Sequence, residues 1–393
     1  MSERAIVLID GEHYAPVVRD ALAALPYDVV GALLVGGTEK LRGDDDYGVA
    51  LVDSLDVVEA DLVLDLSDEP VLGPRERMLW ASRALALGLP YVGSDFRFEP
   101  PPLAPVETPS LAVIGLGKRV GKTAVAGHAA RVLARDRRVV VVAMGRGGPA
   151  EPELVETPPT LEDLITLSRS GRHAASDHLE AAALAGVPAV GCRRAGGGLA
   201  GAPFESNVLE GVRLAAELEP ELLVFDGSGA ALPPVEADAR ILVTNGGHDA
   251  GAGLNAYRVL VSDLVVDTGG ADREAIRSIS DVPVVAAELR LRPTQPLGGR
   301  RTAVFTTGPA PTGDLDAEVV HVSRNLARRE ALSGELERIE AEVYLVELKA
   351  AAVDVVAEAA LARGAEVVLA ANDVVSPELD ERLSALVPDR SRA

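Results

Sequence analysis

The stretch VIGLGKRVGKTAVAG, residues 113–127, joins an apolar run to a helix-like run through a glycine-rich loop. Its GKT triplet (121–123) follows a predicted strand and opens a predicted helix, which is the setting of a phosphate-binding loop. Glycines in such a loop let backbone N–H groups turn inward and bind phosphate oxygens, with help from the helix N-terminus. We therefore predict a nucleotide site formed by Gly115, Gly117 and Gly121.

Two side chains of this loop have separate expected roles. Lys122 is expected to reach the β- and γ-phosphates, and the Thr123 hydroxyl is expected to bind Mg²⁺. The usual spacing calls for glycine where this sequence has Leu116. Gly115 stands one place earlier and makes a longer G-x5-GKT form, which resembles dethiobiotin synthetase and its P-loop relatives.

Short β-rich runs alternate with helical patterns around this loop, which is typical of a parallel sheet covered by helices. The runs are LAVI (111–114), RVVVVA (138–143), VPAV (187–190), LLVF (222–225), RILVT (240–244) and DLVV (263–266). We predict an α/β fold with a central P-loop NTPase-type, mostly parallel sheet and helices on both of its faces. Smaller α/β regions are predicted on its N-terminal and C-terminal sides.

Two proline-containing segments divide the chain. EPPPLAPVETP (99–109) has five prolines in eleven residues and is typical of an extended linker, and RPTQPLGGRR (292–301) is a weaker boundary of the same kind. We expect an N-terminal α/β domain at 1–104, a P-loop nucleotide- and substrate-binding domain at 105–295, and a C-terminal α/β domain at 296–393.

The composition excludes several classes of partner. The formal net charge is −22, so nucleic acid and anionic membranes are repelled at long range. No apolar run approaches the roughly 18 to 20 residues that span a bilayer, and the N-terminus becomes charged too soon for a signal peptide. Cys192 is the single cysteine, which excludes an intramolecular disulfide framework. We expect a cytoplasmic protein.

An acidic residue on the metal side of the nucleotide should follow a neighbouring buried strand. LLVFDGSGA (222–230) places Asp226 there, after four apolar residues and before a Gly-Ser-Gly turn. We predict that Asp226 coordinates Mg²⁺ or positions water. The alternative is that Asp226 only caps the next turn.

Arginines follow two further strands of the predicted sheet. AMGRGGPAEPE (143–153) contains Arg146, and GCRRAGGGLAG (191–201) contains Arg193 and Arg194. Because the carboxyl ends of parallel strands share one edge, these loops should meet beside the phosphate loop. Arginines there can bind phosphate or carboxylate through paired N–H groups, and so predict a second, highly anionic substrate. Ion pairing with surface carboxylates is the alternative for any one of them.

Histidines occur in two other loops. His173 and His178, in GRHAASDHLE (171–180), are five residues apart, a poor fit to a metal pair on one helical face. We interpret them as phosphate-binding or proton-transfer groups, with capping or core roles as the alternative. His13 lies in DGEH (10–13) after the first predicted strand, where a substrate or metal role and plain turn chemistry both fit.

Taken together, these motifs resemble the cyclic 2,3-diphosphoglycerate synthetase family. The stretches that carry the resemblance are GKRVGKTAVAGHAAR, VVAMGRGGPAEPE, GRHAASDHLEAA, VGCRRAGGGLAG, FDGSGAALPPV and YRVLVSDLVV, with LIDGEHYAPVV near the start and VELKAAAVDVV near the end. The resemblance runs through all three predicted regions. One departure is Asp226, where the family pattern leads us to expect Glu.

The resemblance implies an ATP-dependent ligase that closes 2,3-diphosphoglycerate into a cyclic phosphoanhydride and releases ADP and phosphate. ATP and Mg²⁺ are the implied cofactors, and K⁺ is a further candidate. The implied substrate carries two phosphates and a carboxylate, which suits an arginine-rich pocket. Relatives of this P-loop type commonly dimerise, so we expect a homodimer.

The resemblance also implies roles for individual residues. The expected catalytic residues are Lys122, Lys118, Asp226 and Arg146, and the expected substrate-binding residues are Arg146, His173, Arg193, Arg194 and His13. Lys118 would neutralise charge in the transition state, unless it is a loop lysine that faces solvent. Glu347 and Lys349 could close a site or pair on a surface.

Two other classes of protein share part of this pattern. A dethiobiotin synthetase-like or amidoligase-type enzyme would activate a carboxylate with the same loop, but would not need three arginine loops. A P-loop ATPase switch would act on a protein partner, and its ATP turnover would be insensitive to small anions. The arginine loops favour a small phosphorylated substrate over both.

Overall fold

The computed structural model describes residues 2–43, 45–308 and 310–387. Pro309 and the last six residues of the predicted C-terminal domain lie outside the described residues. The chain forms two compact units: unit 1 is Met1–Pro102, Asp249–Val261 and Asp272–Val282, and unit 2 is Leu103–His248, Ser262–Ala271 and Pro283–Ala393.

The helices within the described residues are numbered in chain order. They are α1 Ala15–Ala24, α2 Pro74–Ala86, α3 Lys122–Leu133, α4 Leu161–Arg169, α5 Asp177–Ala185, α6 Val208–Ala216, α7 Asn255–Leu260, α8 Arg273–Ile279, α9 Arg329–Leu336, α10 Glu358–Ala362 and α11 Pro377–Leu386. A π-helical segment, Ala352–Ala357, runs directly into α10.

The strands are numbered in the same way. They are β1 Arg4–Ile9, β2 Asp28–Leu34, β3 Leu62–Asp65, β4 Tyr91–Val92, β5 Arg97–Phe98, β6 Ala104–Pro105, β7 Ser110–Gly115, β8 Val139–Gly145, β9 Glu153–Val155, β10 Ala189–Ala195, β11 Glu205–Ser206, β12 Leu222–Asp226, β13 Val235–Glu236, β14 Ala239–Thr244, β15 Leu264–Asp267, β16 Val284–Ala286, β17 Glu288–Pro293, β18 Arg301–Phe305, β19 Glu318–Ser323, β20 Val343–Glu347 and β21 Glu366–Val375.

Unit 1 is a small α/β unit built on one sheet. The strand order is β2-β1-β3-β4-β5, with parallel pairing from β2 to β4 and an antiparallel edge at β5. Side chains of β1 and α1, such as Val7, Val18 and Leu22, share its core with Leu62 of β3. The N-terminal α/β region predicted from the sequence is confirmed.

Unit 2 contains the large sheet that the sequence predicts. Its order is β11-β10-β8-β12-β7-β14-β15-β16, with β9 paired to β10. The pairing is parallel from β10 to β16, whereas β9 and β11 run antiparallel to β10. Every residue of β7 and β8 is buried, as expected for central strands covered on both faces.

Helices cover both faces of this sheet. On one face, α3, α5 and α11 share a core cluster with alternate residues of the strands, including Val141 of β8. On the other face α6 lies close to β10, because a Cβ at Gly211 would be 2.2 Å from Cys192 Sγ and 3.7 Å from the Val142 side chain. Neighbouring residues of a strand point to opposite faces, so Val141 and Val142 mark the two sides. The predicted fold class is confirmed.

One predicted strand was misplaced. VPAV (187–190) was expected as the strand, but β10 starts at Ala189 and runs on to Ala195. Pro188 has no N–H to donate, and its carbonyl accepts from Val141 N at 2.9 Å. The strand continues to Ala195 because the short β11 pairs with its last two residues.

A second sheet in unit 2 belongs to the C-terminal region. Its order is β17-β21-β20-β18-β19, parallel except for the β17–β21 pair. Helices α4 and α9, the π-helical segment and α10 pack around it in one apolar cluster. The predicted C-terminal α/β region is confirmed.

Candidate active site

The loop between β7 and α3 has a backbone that favours glycine at defined positions. Gly121, directly before α3, has φ 84°, in the left-handed region, and Arg119 has φ 61°. A Cβ at Gly117 would lie 2.2 Å from His248 Cε1, so no side chain fits there without a shift. Both glycines therefore hold the loop in the closely wound form that a phosphate cradle requires.

Leu116, the departure from the usual spacing, lies inside the protein. Its side chain is only 4% exposed, and its backbone N–H donates to Val243 O of β14 at 3.2 Å. This residue thus ties the loop to the sheet instead of facing a ligand. The longer G-x5-GKT form is accommodated without a glycine at that position.

The carboxyl ends of the central strands open on one cavity of about 300 Å³. Its walls come from the β7–α3 loop, the turn after β8, the segment before α5, the turn after β12, and Lys349 after β20. In residue numbers these are 117–123, 143–148 except 144, 173–178 except 174, 192, 227–229 and 349. Of the two arginine loops predicted to meet the phosphate loop, the turn after β8 lines the cavity, whereas the 191–201 stretch contributes only Cys192 to the lining that the structure describes. The strands are parallel and share one edge, which brings these segments together.

Lys122 and Asp226 form a buried ion pair at the base of this cavity. Lys122 Nζ donates to Asp226 Oδ1, and the two residues are 8% and 1% exposed. Asp226 Oδ2 is buried with no hydrogen-bond partner among the described residues. Burial raises the pKa of Asp226, against the opposite effect of Lys122 and with a further rise from Asp177.

Asp177 is a second carboxylate at this edge, and sequence reasoning assigned it no role. It begins α5 and lines the cavity, and a Cβ at Gly145 would lie 3.3 Å from its Oδ2. The available signal was its place beside two histidines in the 171–180 stretch. Asp177 therefore adds a negative charge to the lining of the cavity.

Arg146 and His173 both line the cavity and are exposed. They lie on facing loops, since a Cβ at Gly147 would be 3.4 Å from the His173 ring. Arg194 does not line the cavity but reaches its rim, donating from Nη2 to Ser228 O at 2.9 Å. Burial and the neighbouring Arg146 lower the pKa of Arg194.

Arg193 and His13, the other two predicted substrate residues, have the following surroundings. Arg193 is exposed and, as the structure describes the cavity, is not part of its lining; its backbone N–H donates to Asn207 Oδ1 at 2.7 Å. His13 belongs to unit 1, where its Nδ1 is 2.8 Å from Asp10 Oδ1. Asp10 is 1% exposed and also accepts from the backbone of Asp68.

His178 lines the cavity from a buried position. A Cβ at Gly191 would lie 2.4 Å from its Nδ1, so glycine leaves the space that the ring occupies. Nδ1 is 3.2 Å from Ser176 Oγ, and Nε2 has no partner among the described residues. Burial lowers the pKa of His178, which keeps the ring neutral near pH 7.

Lys118 and Lys349 bring two further cations to the cavity. Lys118 is exposed on the phosphate loop, and its carbonyl lies 3.1 Å from His248 Nε2. Lys349 enters from the C-terminal sheet, and its Nζ lies 3.3 Å from Glu180 Oε1. The sequence left open whether Glu347 and Lys349 close a site or pair on a surface. Lys349 lines the cavity, whereas Glu347 accepts hydrogen bonds from Thr307 and Asn372.

Across the described ranges, no group of three or more His, Cys, Asp or Glu residues is arranged so that it could hold a metal ion. Nor does any described helix have the length and apolar character that a membrane crossing requires.

A glycine-rich loop that leads from a central parallel strand into a helix, with its lysine at the base of a cavity, defines a P-loop nucleotide-binding protein of the α/β class. Three family models described as cyclic 2,3-diphosphoglycerate synthetase match the chain: the N-terminal domain at residues 4–99, the P-loop domain at 110–285 and the C-terminal domain at 293–373. The chain belongs to the cyclic 2,3-diphosphoglycerate synthetase family.

Relatives that carry this name match along almost the whole chain. The relative from Rubrobacter xylanophilus is 47% identical, over 98% of this chain and 97% of its own length. The relative from Thermococcus kodakarensis is 42% identical, over 94% of each chain. That from Thermococcus gammatolerans is also 42% identical, over 94% of this chain and 93% of its own.

Proposed function

We propose that this protein closes 2,3-diphosphoglycerate into cyclic 2,3-diphosphoglycerate at the expense of ATP, with release of ADP and phosphate. The observation that carries the proposal is the meeting of a phosphate loop and an arginine-bearing glycine turn in one cavity, in a chain of net charge −22. Membership of the family and the names of its relatives support the same activity.

The nucleotide would be bound by the β7–α3 loop. Backbone N–H groups around Gly115, Gly117 and Gly121 would hold its phosphates at the N-terminus of α3. Lys122 Nζ would bind the β- and γ-phosphate oxygens, exchanging its partner Asp226 for the more highly charged triphosphate.

The residues of this site suit a magnesium ion. Magnesium is commonly held by one or two carboxylates together with phosphate oxygens, so a site with few protein ligands fits it. Thr123 Oγ1 and Asp226 Oδ2, which has no hydrogen-bond partner in the part of the chain that the structure describes, are the candidate ligands. When bound, the ion supplies charge neutralisation on the transferred phosphoryl group. K⁺ stays a further candidate.

The substrate would lie on the Arg146 side of the cavity. Arg146 and His173 face each other there, with Arg194 at the rim, so phosphate and carboxylate oxygens would find several N–H donors. Lys118 would stand between this group and the nucleotide. Arg193 and His13 stay predicted substrate residues, to be tested by substitution.

The chemistry divides into two displacements. An oxygen of one substrate phosphate attacks the γ-phosphorus of ATP, and the bond from that phosphorus to ADP breaks. The first substrate phosphate now carries the transferred phosphoryl group. An oxygen of the other substrate phosphate attacks the phosphorus of that first phosphate, which forms the cyclic P–O–P bond and expels the transferred group as inorganic phosphate. The chain's own contribution is to align three anionic groups and neutralise their repulsion.

Phosphorus NMR on purified protein tests the proposal. Protein is mixed with ATP, Mg²⁺ and 2,3-diphosphoglycerate, at low and at molar KCl. We expect new phosphoanhydride signals from the glycerate, matched by ADP and phosphate, and their loss in Arg146→Ala but not in Arg382→Ala. Arg382 pairs with Glu378 on the surface of α11 and serves as the control.

Other outcomes point to the other classes. ADP formed while 2,3-diphosphoglycerate stays unchanged would favour a carboxylate-activating ligase, to be pursued with carboxylate substrates. ATP turnover that ignores every small anion would favour an ATPase switch. The homodimer and the cytoplasmic location stay predictions, and sedimentation of the purified protein tests the first.

A further inference from the structure

Lysine is concentrated at the candidate active site. The chain has 38 Lys and Arg residues, of which only Lys40, Lys118, Lys122 and Lys349 are lysine. Three of these four, all but Lys40, line the same cavity. In a sequence that uses arginine almost everywhere else, lysine occurs here, where a compact point charge differs most from a planar guanidinium.

Lys349 is placed at the cavity by an unusual piece of backbone. It follows β20, a strand buried throughout, whose last residue Glu347 accepts from Thr307 N at 2.7 Å and Asn372 Nδ2 at 2.8 Å. Ala350, the residue after Lys349, has φ 49°, in the left-handed region that non-glycine residues rarely adopt. Such conformations cluster at functional sites, since surrounding structure must enforce them.

The segment after this turn is unusual in the same way. The π-helical segment begins at Ala352, and Val356 N donates to Ala351 O at 3.2 Å, a bond that spans five residues. π-helical turns are rare and frequently occur at functional sites. The turn and the π-helical segment together fix where the Lys349 side chain starts.

One carboxylate orients Lys349 without using up its donors. Glu180 is 6% exposed, and its Oε1 lies 3.3 Å from Lys349 Nζ; within the described ranges it is the only acidic residue within ion-pair distance of that nitrogen. An ammonium has three N–H donors, and the Lys349 side chain is 30% exposed. Donors therefore remain for a ligand in the cavity.

The ammonium keeps its charge in this position. Burial by itself would lower the pKa of Lys349, but Glu180, Glu347 and Asp177 outweigh that effect and raise it. A group that stays protonated can neutralise anionic charge but cannot accept a proton. A role in binding and charge neutralisation follows from this.

We propose that Lys349 is a catalytic residue of the cyclisation, donating to a phosphate oxygen of the diphosphoglycerate, and that Glu180 is its positioning residue. The inference rests on the proposed function. Lys122 serves the phosphates of ATP, whereas Lys349 serves the substrate phosphate that attacks, whose charge is the main obstacle to ring closure. No proton moves to or from Lys349, and the bonds that form and break are those of the second displacement.

The test compares three variants of the full-length protein with wild type. Lys349→Met removes the charge at similar length, Lys349→Arg restores a charge of different shape, and Lys40→Met repeats the first change at the lysine outside the cavity. Formation of the cyclic product is followed by phosphorus NMR at saturating ATP, and ATP affinity and melting temperature are measured separately.

We expect Lys349→Met to lower kcat for cyclisation by about 100-fold, the range found for removal of one donor to a developing oxyanion. ATP affinity and melting temperature should change little, Lys349→Arg should recover part of the rate, and Lys40→Met should behave as wild type. Glu180→Gln should lower kcat less than Lys349→Met does, because the ammonium remains.

Two results would overturn the role of Lys349 and leave the proposed function standing. One is a Lys349→Met variant that cyclises at close to the wild-type rate. The other is a variant whose ATP affinity and melting temperature fall together with its rate, because that pattern marks a structural lysine. A wild-type protein that consumes ATP without forming the cyclic product would remove the proposed function, and this inference with it.

Discussion

Asp226 has the character of a residue kept for function. It is 1% exposed, one of its oxygens pairs with Lys122, and the other has no partner among the described residues. Burying an unpaired carboxylate oxygen costs free energy, so such groups occur mainly where a ligand or metal is bound. The shorter aspartate, found where the family pattern led us to expect glutamate, still reaches the lysine of the loop.

Glu180 makes the stability of the fold depend on pH. Burial raises the pKa of this carboxyl to about 7, from an ordinary value of 4.5, because Lys349 offsets only part of the effect. Between these values the folded protein binds more protons than the unfolded chain, so this residue's contribution to stability falls as the pH rises.

We expect Glu180→Gln to remove this pH dependence. As the pH rises from about 4.5 to 7, the unfolding free energy of the variant should increase relative to that of wild type by on the order of 1 to 3 kcal/mol. Urea unfolding at pH 5 and pH 7.5 measures it. Glu358→Gln is the control, since Arg169 holds the pKa of Glu358 below its usual range. Equal shifts for both variants at the two pH values would contradict the assignment.

Helix α6 depends on one glycine for its approach to the sheet. Gly211 lies where a Cβ would meet Cys192 Sγ at 2.2 Å, and Cys192 is itself buried in β10. Alanine is the better helix former by about 1 kcal/mol, so propensity alone would favour substitution. Close packing opposes it, because Cys192 is 1% exposed and lies in a densely packed interior.

We expect Gly211→Ala to destabilise unit 2 by about 1 to 3 kcal/mol, since overpacking outweighs the gain in helix propensity. Gly334→Ala in α9 is the matched control, because among the described residues no atom beyond its chain neighbours and its own helix backbone lies within 4 Å of a Cβ built there. The control should stabilise by about 0.5 to 1 kcal/mol. Urea midpoints compare the two; stabilisation in both variants would show that α6 adjusts freely.

At the scale of elements, the sequence predicted the central strands but not the path after α9. The residues of β20 form a short continuous apolar run, which periodicity alone cannot distinguish from a buried helix. These residues form a strand because they pair with β18 on one side and with β21 on the other. Long-range pairing of this kind leaves no local mark in the sequence.

For the protein as a whole, repulsion among its excess negative charges should lower the stability of the folded state. With 60 acidic and 38 basic residues, screening should relieve more repulsion than it weakens ion pairing. We expect the melting temperature to rise by several degrees between about 0.1 and 1 M salt, equally in NaCl and KCl. Cyclisation activity that responds to KCl but not to NaCl would then mark K⁺ as a cofactor, apart from screening. A melting temperature that is insensitive to both salts would contradict the self-repulsion argument.

The phosphate loop, its strand and its helix could be predicted from the sequence, because they are contiguous and each carries a local signal. The sequence also predicted that Asp226 and the Arg146 turn would meet the loop, since parallel strands end at a common edge. Only the tertiary structure separated Arg194 from Arg193, because successive side chains of β10 point to opposite faces and the exact strand bounds decide which is which. It alone brought Lys349 to Glu180, because the crossover connections between two sheets, not any spacing along the chain, place that lysine beside the nucleotide loop.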